Sequence, residues 1–170
     1  NYIGGRTQDV EPLLNSECGN VWGYKGSTGD VDWSWDYHIM MDAFRRHPQI
    51  GGWLYTEHHD VINEWNGYGR FDRSQKFTGM EALMPGMSLR DLHGDVYIAM
   101  GEELCQEVKP GSNVEVPLYV SFLTDAQAGQ TLVLRGTLRG WDSLGRERSF
   151  GRVPRRNIPY HAWQCGAIEP

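Results

Sequence analysis

The chain has 170 residues, of which 39% are hydrophobic and 22% are charged, proportions typical of a folded globular protein and not of a disordered or fibrous one. Its net charge of −6 argues against a nucleic-acid partner, because a phosphate backbone repels an acidic protein. No stretch approaches the roughly 18 consecutive apolar residues of a membrane-spanning helix, so we expect neither nucleic acid nor a membrane as a partner.

The first half of the chain alternates short apolar runs with a helical pattern, which is typical of a β-α-β unit. Residues 12–16 form the first predicted strand, and residues 50–56 form the second. Between them, a Gly-rich connection leads into apolar residues at helical spacing, from Trp33 to Phe44. The pattern therefore predicts one long helix that connects two strands.

The predicted helix carries an apolar stripe that includes Trp33, Tyr37 and Phe44. At this spacing, aromatic side chains belong to a core far more often than to a ligand platform, and we expect them to be core residues. The charged residues of the opposite face are expected to be solvated: Asp42, Arg45 and Arg46.

After about residue 92 the apolar pattern changes to a period of two, which is the period of β-strands. Residues 114–122 alternate in this way, and so do residues 132–138 after a predicted turn at Gly129. Together with residues 96–99, they predict strands of an antiparallel β-sandwich. The expected organisation is a β/α part at residues 1–72, a connector at 73–92 and a sandwich domain at 93–170.

Two carboxylates directly follow the predicted strands of the first half. Glu17 ends the first strand and Glu57 the second, and the carboxyl ends of neighbouring parallel strands meet at one rim. Polar and aromatic residues surround both positions, and such side chains hydrogen-bond hydroxyl groups and stack on sugar rings. The sequence therefore predicts a carbohydrate ligand at this rim.

Metal and cofactor sites are not expected. The run from Glu57 to Asp60 contains two histidines, but neighbouring strand residues point to opposite faces and cannot all converge on one ion. Three widely spaced cysteines without a C-x-x-C pair predict neither a zinc site nor a disulfide framework, and they leave the compartment open.

Two segments are similar to motifs of glycoside hydrolase family 2. Residues 12–19, PLLNSECG, resemble that family's strand-seven nucleophile motif, although Cys18 stands where an aromatic residue is common. Residues 51–60, GGWLYTEHHD, resemble its eighth barrel strand. The resemblance implies the C-terminal part of a (β/α)8 barrel followed by an antiparallel β-sandwich, in a fragment of a larger chain.

By this resemblance the protein would be a retaining exo-β-glycosidase, β-galactosidase-like, in which Glu17 attacks the anomeric carbon. The acid that protonates the leaving oxygen would lie outside this chain. The expected partners are therefore a carbohydrate substrate and the upstream barrel half, on the same enzyme or on another chain. The residues expected to bind the sugar are Asn20, Trp22, Tyr55, Glu57, His58 and Asp60.

Three alternatives stay open. Glu17 and Glu57 can form a self-sufficient catalytic pair, since neighbouring rim carboxylates can approach the roughly 5 to 5.5 Å of retaining enzymes. Glu57 and Asp60 can instead be structural, paired with Arg70 or Arg73. The protein can also be a non-catalytic carbohydrate-binding module. In a fragment, both strands should either pack against another chain or expose an apolar patch.

Overall fold

The computed structural model describes residues 4–19, 32–62, 64–76, 78–159 and 165–167. In chain order its elements are β1 (Leu13–Cys18), α1 (Ser34–Arg46), β2 (Ile50–Tyr55), α2 (Gly79–Leu83), a 3-10 helix (Leu89–His93), β3 (Val96–Met100), β4 (Leu118–Phe122), β5 (Thr131–Trp141), β6 (Glu147–Pro159) and β7 (Cys165–Ala167). Of the helices in these ranges, none combines the length and the apolar character needed to cross a membrane.

β1 and β2 form a parallel pair, with α1 between them in sequence. Leu14 lies opposite Gly52, and Asn15 lies opposite Trp53. The predicted β-α-β unit is confirmed, because apolar runs of strand length flank a segment with clear helical periodicity. In a parallel pair the two carboxyl ends lie at the same edge, so the residues that follow β1 and β2 are brought together.

The predicted C-terminal part of a (β/α)8 barrel is wrong. Within the described ranges the parallel sheet has two strands, and the other strand pairs are antiparallel and belong to two separate small sheets. A barrel needs repeated strand–helix units, whereas the described chain after β2 offers a loop, the five-residue α2 and a 3-10 helix. The two short motifs specify a local β-α-β geometry, which many folds contain, and not the closure of a barrel.

The second half of the chain forms two antiparallel sheets. β3, β4 and β7 make a three-stranded sheet in the order β3-β4-β7, and β5 pairs with β6 in a long two-stranded ribbon. An apolar cluster of Val120, Phe122 and Ile158 joins the sheet to the ribbon. This arrangement is compatible with the predicted sandwich. The strand predicted at 114–122 is shorter in the structure, and β4 begins after Pro117, which cannot donate a backbone hydrogen bond.

The main core lies where α1 packs between β2 and β3. Its buried residues are Trp33, Tyr37, Met41, Met80, Leu92, Tyr97 and Ala99. The prediction that the aromatic stripe of α1 belongs to the core is confirmed for Trp33 and Tyr37, while Phe44 is partly buried at the edge of the same cluster.

The prediction of solvated charges on α1 is wrong for Asp42 and Arg45, which are 3% and 2% exposed. The second sheet covers the face of the helix that the first sheet leaves open. Tyr97 Oη donates a hydrogen bond to Asp42 Oδ1 at 3.0 Å, and Arg45 Nη2 donates to the Gly94 carbonyl at 2.6 Å. The Arg45 guanidinium also lies 5.1 Å from the ring centre of Trp53, where a cation–π contact offsets part of its desolvation.

Candidate functional site

The carboxyl ends of β1 and β2 meet at an open cavity of about 250 Å³. The residues that line it are Glu17, Gly19, Thr56, Glu64 and Asn66. The Glu17 side chain is exposed, and its backbone amide donates to Asn15 Oδ1 at 3.2 Å. The cavity brings together Glu17 from the end of β1 and Thr56 from the end of β2. Glu57, which was expected to share this rim with Glu17, is not among the residues that line the cavity.

Gly19 allows the two strand ends to approach this closely. A Cβ atom at this position would lie 2.7 Å from the Thr56 carbonyl oxygen and 2.8 Å from Asn66 Nδ2. The Thr56 amide donates to the Cys18 carbonyl at 2.8 Å, which extends the parallel pairing to the cavity wall. A side chain at residue 19 would therefore push Thr56 or Asn66 away from Glu17.

Glu57 follows Thr56 and is half-buried. Burial raises the pKa of its carboxyl, and the negative charge of nearby Glu64 raises this pKa further. Its Oε1 atom is buried and accepts no hydrogen bond within the part of the chain that the structure describes. A carboxyl with a raised pKa keeps its proton to a higher pH, which is the property required of a general acid.

Asp60 is 5% exposed and forms an ion pair with Lys76, whose Nζ lies 2.7 Å from Asp60 Oδ1. The same oxygen accepts a hydrogen bond from the Gly67 amide at 2.9 Å. Lys76 Nζ also donates to the Trp65 carbonyl at 2.9 Å. Asp60 was expected to bind sugar, and the structure places it behind the cavity, where it fixes the loop that carries Glu64 and Asn66.

Tyr55 does not line the cavity but packs against the main core. Its ring is stacked on Trp33, with ring centres 5.3 Å apart, and lies 4.8 Å from the ring centre of Tyr68. Its hydroxyl donates to the Asn66 carbonyl, and burial raises its pKa. Tyr55 therefore supports the backbone of a cavity residue from below, and it is not an aromatic floor in contact with the cavity.

The remaining residues expected at the site are His58, Asn20 and Trp22. His58 is exposed and makes an edge-on ring contact with His59, with ring centres 5.9 Å apart. Asn20 and Trp22 lie outside the described residues. Among the described residues, no group of three or more His, Cys, Asp or Glu side chains is placed to hold a metal ion.

Glu64 and Asn66 were expected among the polar residues around the two carboxylates, but neither was assigned a role, and Lys76 was not expected at the site. Glu64 and Asn66 belong to a polar stretch after β2, but their arrival at the cavity depends on the path of the loop. That path is set by long-range contacts, such as the hydrogen bond from the Gly69 amide to the His58 carbonyl at 3.2 Å. No periodic pattern marks such a loop, so only the polar composition of the segment was available as an indication.

A scan against protein-family models finds no match, and searches of curated proteins and of solved structures find none either. The functional assignment therefore depends on the cavity geometry and on the resemblance of the two short motifs.

Proposed function

We propose that this chain takes part in the hydrolysis of β-glycosides, with Glu17 as the nucleophile of a retaining mechanism. The observation that carries the proposal is the convergence of Glu17, Glu64 and Asn66 on one open cavity at the ends of two parallel strands. Carboxylate and amide groups in such a cavity are suited to binding the hydroxyl groups of a sugar. The motif resemblance supports an exo-acting enzyme that is β-galactosidase-like.

In this mechanism a carboxylate oxygen of Glu17 forms a bond to the anomeric carbon while the glycosidic C–O bond breaks. The leaving oxygen takes a proton from a second carboxyl group. Water then attacks the anomeric carbon of the glycosyl–enzyme intermediate, the bond from that carbon to Glu17 breaks and frees the Glu17 carboxylate, and the second carboxylate accepts the proton of that water. The exposure of Glu17 fits the first role, because the anomeric carbon must reach its carboxylate.

The second carboxyl has two candidate sources. One is an acid outside this chain, as the family resemblance implies. The other is Glu57, whose pKa is raised by burial and by Glu64 and whose Oε1 lacks a hydrogen-bond partner in the described structure. Covalent trapping tests the role of Glu17 as the nucleophile whichever of these two groups supplies the acid.

Covalent trapping with 2,4-dinitrophenyl 2-deoxy-2-fluoro-β-glycosides tests the role of Glu17. Dinitrophenolate leaves without being protonated, so the chain can be labelled even where its acid lies elsewhere. We expect the galactoside to add one fluorosugar per chain, and peptide mapping to place it on Glu17. Glu17→Gln should remain unlabelled, while the matched variant Glu57→Gln should keep the label. Labelling at Glu57, or no labelling by the galactoside, glucoside or mannoside, would remove Glu17 from the nucleophile role.

A further inference from the structure

The β5–β6 ribbon concentrates positive charge in an acidic protein. Residues 131–159 contain seven arginines and two acidic residues, a net charge of +5 in a chain whose net charge is −6. Asp142 pairs with Arg146 and Arg148 at 2.9 and 3.1 Å. The ribbon's other arginines have no carboxylate within ion-pair distance among the described residues: Arg135, Arg139, Arg152, Arg155 and Arg156.

One face of the ribbon combines these charges with an exposed aromatic ring. Alternate residues of a strand share a face, so Arg135, Arg139 and Trp141 of β5 lie on the same side. Arg152 of β6 is opposite Thr137 and joins them on this side. Trp141 is 66% exposed. We call this surface, formed by Arg135, Arg139, Trp141 and Arg152, the arginine face.

A surface of complementary character lies in the connection between β3 and β4, at residues 101–117. It carries four glutamates and one lysine, a net charge of −3. Its glutamates are all exposed, and so are three valines, Val108, Val114 and Val116, with exposures of 54%, 46% and 44%. The arginine face and this acidic segment are therefore both uncovered in a single chain. Each offers opposite charges and apolar side chains to the other.

The geometry points to a second copy of this chain as the occupant of the arginine face: the ribbon of one copy docks onto segment 101–117 of the other, and the reverse. Such a reciprocal contact is the usual form of a symmetric dimer. An isolated two-stranded ribbon is at best marginally stable in water. The apolar cluster around Ile158 joins one end of this ribbon to the sheet, and the proposed contact would cover its arginine face. The acidic net charge of the chain favours this occupant over nucleic acid.

The size of the contact agrees with this assignment. One face of a ribbon 11 residues long and two strands wide covers on the order of 350 Å². Each copy contributes one ribbon and one acidic segment, so the dimer buries on the order of 700 Å² per copy, close to the ~800 Å² per partner of standard interfaces.

Light scattering coupled to size-exclusion chromatography tests the proposal on the unchanged chain. We expect a dimer at about 0.1 M salt, where the Debye length is about 10 Å, and a shift towards monomer at about 1 M salt, where it is about 3 Å. A monomer at both salt concentrations would overturn the proposal, and so would a dimer that salt does not weaken. This measurement needs no variant, so it stands even where a substitution impairs folding.

A charge swap tests whether the arginine face and the acidic segment form the dimer contact. Arg135→Glu with Arg139→Glu reverses the sign of the charge on the arginine face. Glu103→Arg with Glu107→Arg reverses the sign of the charge on the acidic segment. Each variant alone should be monomeric, because like charges then face each other in both contacts. A mixture of the two should form dimers again, since both contacts of the mixed dimer join opposite charges. The control, Arg6→Glu with Arg90→Glu, makes the same charge change elsewhere on the surface and should stay dimeric.

Three results would overturn the assignment of these surfaces. The first is a dimer formed by either swapped variant alone. The second is a mixture of the two variants that stays monomeric although both have the circular dichroism spectrum of the wild type. The third is loss of the dimer in the control.

Discussion

Glu57 and Glu17 are carboxyl groups in different surroundings at the same strand ends. Glu57 is half-buried beside Glu64, and both burial and this neighbouring charge raise its pKa. Glu17 is exposed at the cavity. A retaining glycosidase needs one carboxylate that attacks and one carboxyl that still holds its proton, and different environments are how proteins separate these roles. The local environment therefore favours Glu57 for the acid role wherever the chain acts without a partner.

Glu57→Gln tests this role through the dependence of rate on the leaving group. If Glu57 is the acid, the variant should lose about 10²- to 10⁴-fold in kcat/KM on an unactivated β-glycoside. Its kcat/KM on a dinitrophenyl glycoside, which reports the glycosylation step, should fall little because that leaving group needs no proton. The fall of kcat/KM at high pH, which reports deprotonation of the acid, should disappear in the variant. An equal loss on both substrates would contradict the acid role.

Asp42 is a second carboxyl whose surroundings oppose its charge. It is 3% exposed, and burial raises its pKa to about 6, although the hydrogen bond from Tyr97 opposes this effect. The folded state therefore binds the Asp42 proton more tightly than the unfolded state does. Stability from this group is fully present below about pH 4, is lost as the pH rises through about 6, and stays lost above that value.

Asp42→Asn should remove this loss. The amide oxygen can still accept the hydrogen bond of Tyr97, and no charge remains to be desolvated. At neutral pH we expect the free energy of unfolding to equal or exceed that of the wild type, by up to about 1–3 kcal/mol. Urea titrations between about pH 4 and 7 measure the difference. Asp36→Asn, an exposed position on the same helix, is the control. If the unfolding free energy of Asp42→Asn keeps the wild-type dependence on pH over this range, Asp42 is not the group that causes that dependence.

The loop after β2 depends on a buried ion pair between Asp60 and Lys76. Their side chains are 7% and 5% exposed, and through Gly67 and Trp65 they hold the loop that carries two cavity residues. A buried pair contributes modestly as a whole, but loss of one partner leaves an uncompensated charge. The pair therefore matters for the shape of the loop more than for the total stability.

Asp60→Leu should cost about 3–5 kcal/mol of unfolding free energy, because the Lys76 ammonium loses its carboxylate in a site with little water. The double variant, Asp60→Leu with Lys76→Met, should recover a large part of this loss because no charge remains buried. Chemical denaturation of the wild type, both single variants and the double variant gives the coupling energy. Additive losses in the double variant would show that the pair is not coupled.

Periodicity accounts for the elements that were predicted correctly. The spacing from Trp33 to Phe44 predicted α1, because this spacing reflects burial on one side of a helix. The short apolar runs that flank it predicted β1 and β2. The burial of Arg45 was missed because the local pattern does not reveal that a second sheet covers the polar face of α1. Glu64 was expected near the carboxylates but was given no role for a related reason, since the path of the loop brings it to the same cavity as Glu17. The barrel prediction failed because a short motif contains no information on how many strands follow.

Within the part of the chain that the structure describes, the parallel pair is covered on one face. Trp53 and Tyr55 point towards α1 and pack against the main core. Leu54 lies between them in the strand and points the other way, and it is 58% exposed. Leu14 packs near Gly52 on that same side and is 64% exposed. Leu14 and Leu54 therefore expose apolar side chains on this face, whereas parallel sheets are usually covered on both faces.

Leu54→Ala tests whether this face is open in the folded protein. Truncation of a solvent-exposed side chain changes the free energy of unfolding little, and we expect a change within about 0.5 kcal/mol. Met41→Ala is the matched comparison, since Met41 is fully buried and its truncation should cost about 2–5 kcal/mol. Urea denaturation at several protein concentrations measures both. Should Leu54→Ala cost as much as Met41→Ala, the face is covered in solution. A cost that grows with protein concentration would identify the cover as another polypeptide, because association adds to stability by mass action.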